Sequence, residues 1–393
     1  MHVNVLFDRV PRLSIDLGDR RVPAFRSLGI IGFFVGLLFA IAAGMIAGTS
    51  LTVVTGVAAA AGFSFFAWAI LRRGITGAER LVLLEHVWVA YGAVALYAWA
   101  AGTSTPAAFD VLSSALAPFL LFGRLGCTTV GCCHGPPAST GIRYGPEHLL
   151  PERLVGVRLL PTPLIEAGAL AAISVVALAA MSGRTGLATV WFLVSYAVVR
   201  FGTEGIRGDI RPALGRVSVP RIMAVIQFGV GLGMAERWLD DEELGRPVAV
   251  TAVLLGVALL AALALVWSRE PDALAEPDHL DEAWRRIVEL HAITTGDRPT
   301  STETSLGMSV AVSHSEGALH VSLAHPEHPT RGVAASLGPD RVEEVHGITH
   351  MIIGRSPTPT VGDQRTITPK PTPTPSPTSN GTAPADAYFA RPG

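Results

Sequence analysis

Charge is scarce in this chain. Only 16 % of the 393 residues are Asp, Glu, Lys or Arg, 49 % are hydrophobic, and the mean hydropathy is +0.43. That balance argues against an ordinary water-soluble globule and for a membrane protein. The formal net charge is −2, so there is no basic excess to hold nucleic acid. Cysteine is also scarce. Cys127, Cys132 and Cys133 are the only three, and their crowding into one short stretch excludes a disulfide framework. No cleavable leader is expected, because Arg9, Arg12, Arg20, Arg21 and Arg26 precede an apolar run too long for a signal peptide.

What is present is a series of apolar stretches, each near the roughly 20 residues that cross a bilayer as a helix. They fall at 27–48, 51–71, 82–101, 110–123, 163–181, 186–206, 219–235 and 247–267. The fourth and seventh are short or interrupted, so seven or eight transmembrane helices are expected. Backbone amides in lipid must be bonded within their own segment, which makes these helices rather than strands. The fold class is therefore all-α and polytopic. Small residues in GFFVGLLFAIAAG and VAAAAGFSFFAWA suit close helix packing. Arginines cluster in the N-terminal flank and in loops at 72–80, 124–158 and 207–221, all on one side if every span crosses. Two of those loops also hold the candidate anion site, so the positive-inside rule does not orient the chain.

Four regions follow: a flank at 1–26, a transmembrane unit at 27–267, a polar region at 268–355 and a tail at 356–393. The polar region carries EPDALAEPDHLDEAWRRIVEL, which reads as a loop and an amphipathic helix. It also carries LGMSVAVSHSEGALHVSLAHP, whose alternation around Ser315-Glu316-Gly317 predicts a hairpin. PDRVEEVHGITHMIIG reads as a short helix and strand. A small α+β unit is expected there. The tail is Pro/Thr-rich and expected to be extended and disordered.

Ionisable groups inside or beside spans are costly, so each is a candidate for function. Arg124 follows an apolar run in GRLGC, where a guanidinium could grip a phosphate or merely snorkel to the interface. Tyr196, Arg200 and Glu204 recur every four residues and share one helix face, with Arg207 adjoining. They could form a headgroup pocket, or Arg200 and Glu204 could simply neutralise each other. Glu166 in LLPTPLIEAGAL sits in the first turn of a span, where the helix dipole alone would favour a carboxylate. His86, beside Glu85, reads as a packed histidine. Cys132, Cys133 and His134 could hold a nucleophilic or redox thiol, or only let the loop pack. Adjacent Cys132 and Cys133 do not suggest a shared metal ion, and no metal or cofactor is expected. His314, His320, His325, His328, His346 and His350 lack a fixed ligand spacing.

At these residues the chain resembles the prolipoprotein diacylglyceryl transferases of the bacterial inner membrane. GRLGCTTVGCCHG is similar to that family's GR-G-N-F-x-N-G-E signature, LPTPLIEA to its HP-T-Q-L-Y-E-A segment, and SYAVVRFGTEGIRGD to its Y-x3-RF-x2-E-x2-R stretch. WVAYGAVAL is similar to its third-span element, and LGRVSVPRIMAVIQ to the start of its last span. The resemblance covers about residues 25–240. It implies a multi-pass enzyme that moves a diacylglyceryl group from phosphatidylglycerol to the lipobox cysteine of a prolipoprotein. The partners it implies are phosphatidylglycerol, prolipoprotein signal peptides and membrane lipids, with no cofactor.

By the same resemblance Arg124 would bind the lipid phosphate and Arg200 would stabilise the leaving phosphate. Tyr196 and Glu204 would orient them, Glu166 would support the site, Arg207 would bind substrate, and Tyr91 would replace the third-span His or Tyr. The signature's first Asn is Cys127 here, its Glu falls at Cys132, and His-Gly-Gly becomes Tyr91-Gly92-Ala93. Those changes remove the obvious bases for a thiol acceptor. A divergent transferase with another acceptor, a non-catalytic lipid-binding scaffold and a thiol-redox membrane protein are the other readings.

Overall fold

The computed structural model describes residues 2–17, 20–76, 83–148, 150–209, 212–214, 217–239, 241–268, 273–315, 318–325 and 333–337. A short helix α1 (His2–Phe7) and a hairpin of β1 (Ser14–Leu17) and β2 (Arg20–Pro23) lead into the helical unit. Eight helices follow: α2 (Ala24–Ala47), α3 (Leu51–Thr76), α4 (Leu83–Ala100), α5 (Thr105–Val130), α6 (Thr162–Ala180), α7 (Leu187–Glu204), α8 (Val219–Trp238) and α9 (Asp241–Ser268). Each coincides with one of the apolar stretches. Four of them, α2, α3, α5 and α6, are long and apolar enough to cross a membrane on those grounds alone. Small antiparallel pairs fill the connections, β3 (Pro137–Arg143) with β4 (Arg158–Leu159) after α5, and β5 (Ala213–Leu214) with β6 (Val217–Ser218) after α7.

Helix α5 is the centre of the bundle and touches α2, α3, α4, α6 and α7. Its buried residues run from Ala108 to Thr128 and include Arg124. The α2 face against it is built from small residues. A Cβ added at Gly36 would stand 2.9 Å from the carbonyl oxygen of Ala115, so only glycine lets the two backbones approach this closely.

The largest departure from the sequence reading is in α5. Its apolar run suggested a short span at 110–123 and a loop from 124, whereas the helix continues to Val130. Ser104 accepts the Ala107 N–H at its start, with Pro106 in the first turn. It ends only where Gly131, at φ 84°, turns its N–H back to the Cys127 carbonyl. The seventh stretch also forms a full helix. Pro220 sits at the start of α8, where its missing N–H costs nothing, and Gln227 donates to the Leu193 carbonyl of α7 at 3.0 Å.

Two sets of polar contacts fix α7 to its neighbours. At its N-terminal end Asp110 of α5 accepts the N–H groups of Gly186 (2.5 Å) and Thr189 (2.8 Å). These are donors that the first helical turn cannot satisfy internally. At its C-terminal end the connections are stitched together: Gly208 N–H donates to His134 O, Gly135 N–H to Leu160 O, and Thr162 Oγ1 to Ile206 O.

Beyond α9, α10 (Pro277–Ile293) packs on a sheet of order β10-β9-β8-β7, made of β7 (Thr300–Glu303), β8 (Ser309–Ser315), β9 (Ala318–Ala324) and β10 (Val333–Leu337). Ala283, Ile287, Met308, Val310, Val312 and Val321 form its core. The amphipathic helix and the hairpin appear as the pattern predicted, with Ser315 paired to Ala318. Strands β7 and β10 were not foreseen. The helix and strand read from PDRVEEVHGITHMIIG, and the tail at 356–393, lie outside the described residues. Arg153 of the α5–α6 connection meets Asp281 of α10 at 2.6 Å.

Candidate functional site

Three arginines meet one carboxylate at the end of α5, α6 and α7. Glu166, with no exposed surface, stands in the second turn of α6, one turn further in than the sequence suggested. Its Oε1 lies 2.8 Å from Arg124 Nε, and its Oε2 lies 3.4 Å from Arg200 Nη1 and 3.9 Å from Arg207 Nη1. The phenol of Tyr196 donates to Glu166 Oε1 at 3.0 Å, and Arg124 Nη2 reaches its oxygen at 3.5 Å. Arg200 also pairs with Glu204 at 3.1 Å, and Arg207 with Asp209 at 3.0 Å.

The sequence places these groups through periodicity. Tyr196, Arg200 and Glu204 lie on the buried face of α7, as their spacing predicted. Both open questions about them have answers in the geometry. Arg200 does pair with Glu204, yet it also reaches Glu166, so the pair belongs to a larger cluster. Arg124 does not snorkel; it is buried and turned into the bundle.

Glu166 was expected to support the site, and it turns out to be its hub. Sequence reasoning missed Asp209. The signal was present two residues after Arg207, in GIRGD. Burial pushes the Asp209 carboxyl up to about 6, against the pull of Arg207. Burial works against the charge of Arg207, but Cys133 and Asp209 outweigh it and hold the guanidinium cationic.

Tyr91 does not join the cluster. Its hydroxyl lies 2.6 Å from Ser113 Oγ, which in turn meets Thr189 Oγ1 at 3.3 Å, and Thr189 Oγ1 donates to Asp110 at 2.7 Å. Ser113 is three helical turns from Arg124 on α5, about 16 Å along the axis. His86 is buried with its ring 4.5 Å from that of Phe65, a packed histidine as read.

The cysteines border the arginines. Arg124 Nη1 is 3.9 Å from Cys133 Sγ. The Sγ atoms of Cys127, Cys132 and Cys133 all lie within 4.8 Å of one another. Cys133 adopts a left-handed backbone, φ 64°, uncommon for a residue with a Cβ. That turn accompanies the meeting of the two adjacent cysteine side chains, which the sequence did not suggest could share one ion. Cys127 and Cys132 hydrogen-bond to the Cys133 thiol and, with Arg207 and Arg124 nearby, hold it well below the usual thiol range despite burial. His134 is buried, its Nδ1 2.9 Å from Gly135 O, and burial holds its imidazole below the usual range. Of the C-terminal histidines, His320 bonds Ser315 and His325 bonds Leu306 O, while His328, His346 and His350 lie outside the described residues.

Apolar helices long enough to cross a bilayer point to a membrane protein, and at one end they enclose buried guanidinium groups. Residues 87–236, from α4 into the last turn of α8, match the family described as prolipoprotein diacylglyceryl transferase. Among curated proteins, phosphatidylglycerol–prolipoprotein diacylglyceryl transferase 2 of Clostridium perfringens (strain 13 / Type A) is 28 % identical over 120 residues. The match covers 30 % of this chain and 46 % of that relative, so the chain spans about half the length of the curated protein it matches.

Proposed function

We propose that this chain is a multi-pass transferase of a bacterial cytoplasmic membrane. It takes a diacylglyceryl group from phosphatidylglycerol and passes it to the lipobox cysteine of a prolipoprotein. The observation that carries this reading is the convergence of Arg124, Arg200 and Arg207 on Glu166. Three guanidiniums held around one buried carboxylate are a preformed cradle for a phosphate, whose oxygens accept the same bidentate hydrogen bonds. Glu166 keeps the cations together when the headgroup is absent.

In the reaction an acceptor thiolate attacks the glyceryl carbon next to the phosphate. The C–S bond forms as the C–O bond breaks, and glycerol phosphate leaves with the electron pair. Arg200 and Arg124 face the charge that grows on the leaving phosphate, which is where fixed cations accelerate a reaction. Tyr196 and Glu204 hold the two guanidiniums in place. We also propose that all eight helices α2–α9 span the membrane. The polar region and tail then lie on the same side as the arginine cluster.

The test is transfer of a labelled diacylglyceryl group from phosphatidylglycerol to a lipobox peptide by purified full-length protein. The wild type transfers the label, and Arg124→Ala and Arg200→Ala do not. An inactive but well-folded wild type rejects the reading. A second reading, transfer to another acceptor, is favoured by one observation: the position of the family's signature Glu is Cys132. Rescue of a strain depleted of its housekeeping transferase supports the lipobox acceptor. No rescue at normal expression supports the other.

A further inference from the structure

The three thiols beside Arg124 are the feature the phosphate cradle leaves unexplained. Cys127 lies in the last turn of α5, and Cys132 and Cys133 lie in the turn that follows. Their three Sγ atoms fall within 4.8 Å of one another, and all three residues are partly exposed. Sulfurs bound to one tetrahedral zinc at about 2.3 Å sit roughly 3.8 Å apart. The observed separations exceed that spacing by no more than about 1 Å.

We propose that Cys127, Cys132 and Cys133 form a three-thiolate site for a thiophilic divalent ion, zinc, with its fourth position open toward the arginine cluster. Among the described residues no fourth His, Cys, Asp or Glu joins the group. Three protein ligands and one open position are the pattern of a catalytic rather than a structural zinc site. The charges agree. A divalent ion with three thiolates carries a net single negative charge, and Arg124 stands 3.9 Å from Cys133 Sγ to offset it. The left-handed turn at Cys133, φ 64°, is the backbone feature that directs its thiol to the other two.

The proposal deepens the transferase reading and rests on it only for what the ion does. A free thiol that takes the fourth position gives up its proton to solvent, because a coordinating thiol is deprotonated outright. The zinc-bound thiolate then attacks the glyceryl carbon, the C–O bond to phosphate breaks, and the phosphate keeps the electron pair. The product is a neutral thioether, a weaker ligand than a thiolate, and it leaves the ion. This would supply the thiol activation for which the chain lacks a signature Glu.

The test uses the full chain in detergent and zinc itself. After equilibration and removal of free metal, elemental analysis finds about one zinc per chain in the wild type and in Arg200→Gln. Cys133→Ser weakens binding by more than about 100-fold, beyond what loss of an outer partner costs. A measurement on wild type alone guards against a variant that fails to fold: zinc protects all three cysteines from alkylation, read by mass spectrometry. Cobalt in place of zinc gives a sulfur-to-metal absorption band, and a lipobox peptide shifts it by adding a fourth thiolate. Equal zinc in wild type and in a Cys127→Ser, Cys132→Ser, Cys133→Ser chain overturns the proposal, as does full alkylation in the presence of zinc. Zinc bound without any lipid transfer keeps the site and rejects the transferase reading; transfer without zinc does the reverse.

Discussion

Helices α5 and α7 carry a buried polar cluster at each end, and the two are built on different terms. At one end Asp110 spends its carboxylate on the Gly186 and Thr189 N–H groups and the Thr189 hydroxyl, with Ser113 and Tyr91 completing the chain. Every member has a short-range partner from the fold itself. At the other end Arg124, Arg200 and Arg207 share a single fully buried carboxylate, Glu166, at distances from 2.8 to 3.9 Å. The first arrangement pins two helices together. The second holds more donors than one carboxylate can satisfy, and that surplus suits a phosphate. With Glu204 and Asp209 the charges balance, three cations to three carboxylates, so what sets this end apart is the convergence of three guanidiniums on one shared partner.

The contrast yields a graded series. Glu166→Ala leaves three guanidiniums without their common partner, and removal of one member of a buried ion cluster costs about 3–5 kcal/mol. Chemical or thermal denaturation in detergent should show that loss, and a neutral effect would mean the cluster is not held by Glu166. Arg124→Ala and Arg200→Ala are expected to lower lipid transfer by about 10²–10³-fold with a smaller effect on stability.

Asp110→Ala removes a cap and is expected to cost about 1–2 kcal/mol of stability, with transfer per folded molecule unchanged. Loss of turnover there would erase the distinction between the two ends. Tyr91→Phe gives up one hydroxyl contact, a loss of about 1 kcal/mol, again without effect on turnover.

The last effect is a pH dependence, at Asp209. Its carboxyl titrates at about 6 in the folded chain and near 3.9 when unfolded. Between those values the folded chain holds a proton that the unfolded chain has released, so stability falls as pH rises through the window and is level above it. Asp209→Asn should flatten that slope in a thermal-stability profile.

Much of this arrangement is written in local sequence. The eight apolar stretches became eight helices because a bilayer-length apolar run has few other ways to satisfy its backbone. The four-residue spacing of Tyr196, Arg200 and Glu204 was enough to put them on one face. The hub role of Glu166 was not legible, since a carboxylate read as lying near the start of a span is explained by that helix's dipole alone. Only the packing of α6 between α5 and α7 sets it among three arginines.

The continuation of α5 to Val130 was hidden by glycines at 123 and 126, which weaken helix propensity in isolation but lie inside a packed bundle here. The meeting of three thiols depended on one left-handed residue, Cys133, and non-glycine residues rarely advertise that conformation. Tyr91 followed from a resemblance in its own helix, and the distance along α5 that separates it from Arg124 is a tertiary fact.

The most direct test of the phosphate cradle is the thermal stability of purified protein with added phosphatidylglycerol, in wild type and in the Arg124→Gln, Arg200→Gln double variant. The lipid should raise the melting temperature of the wild type and leave the double variant unmoved, while uncharged diacylglycerol should do neither. An equal shift in both proteins would contradict the account.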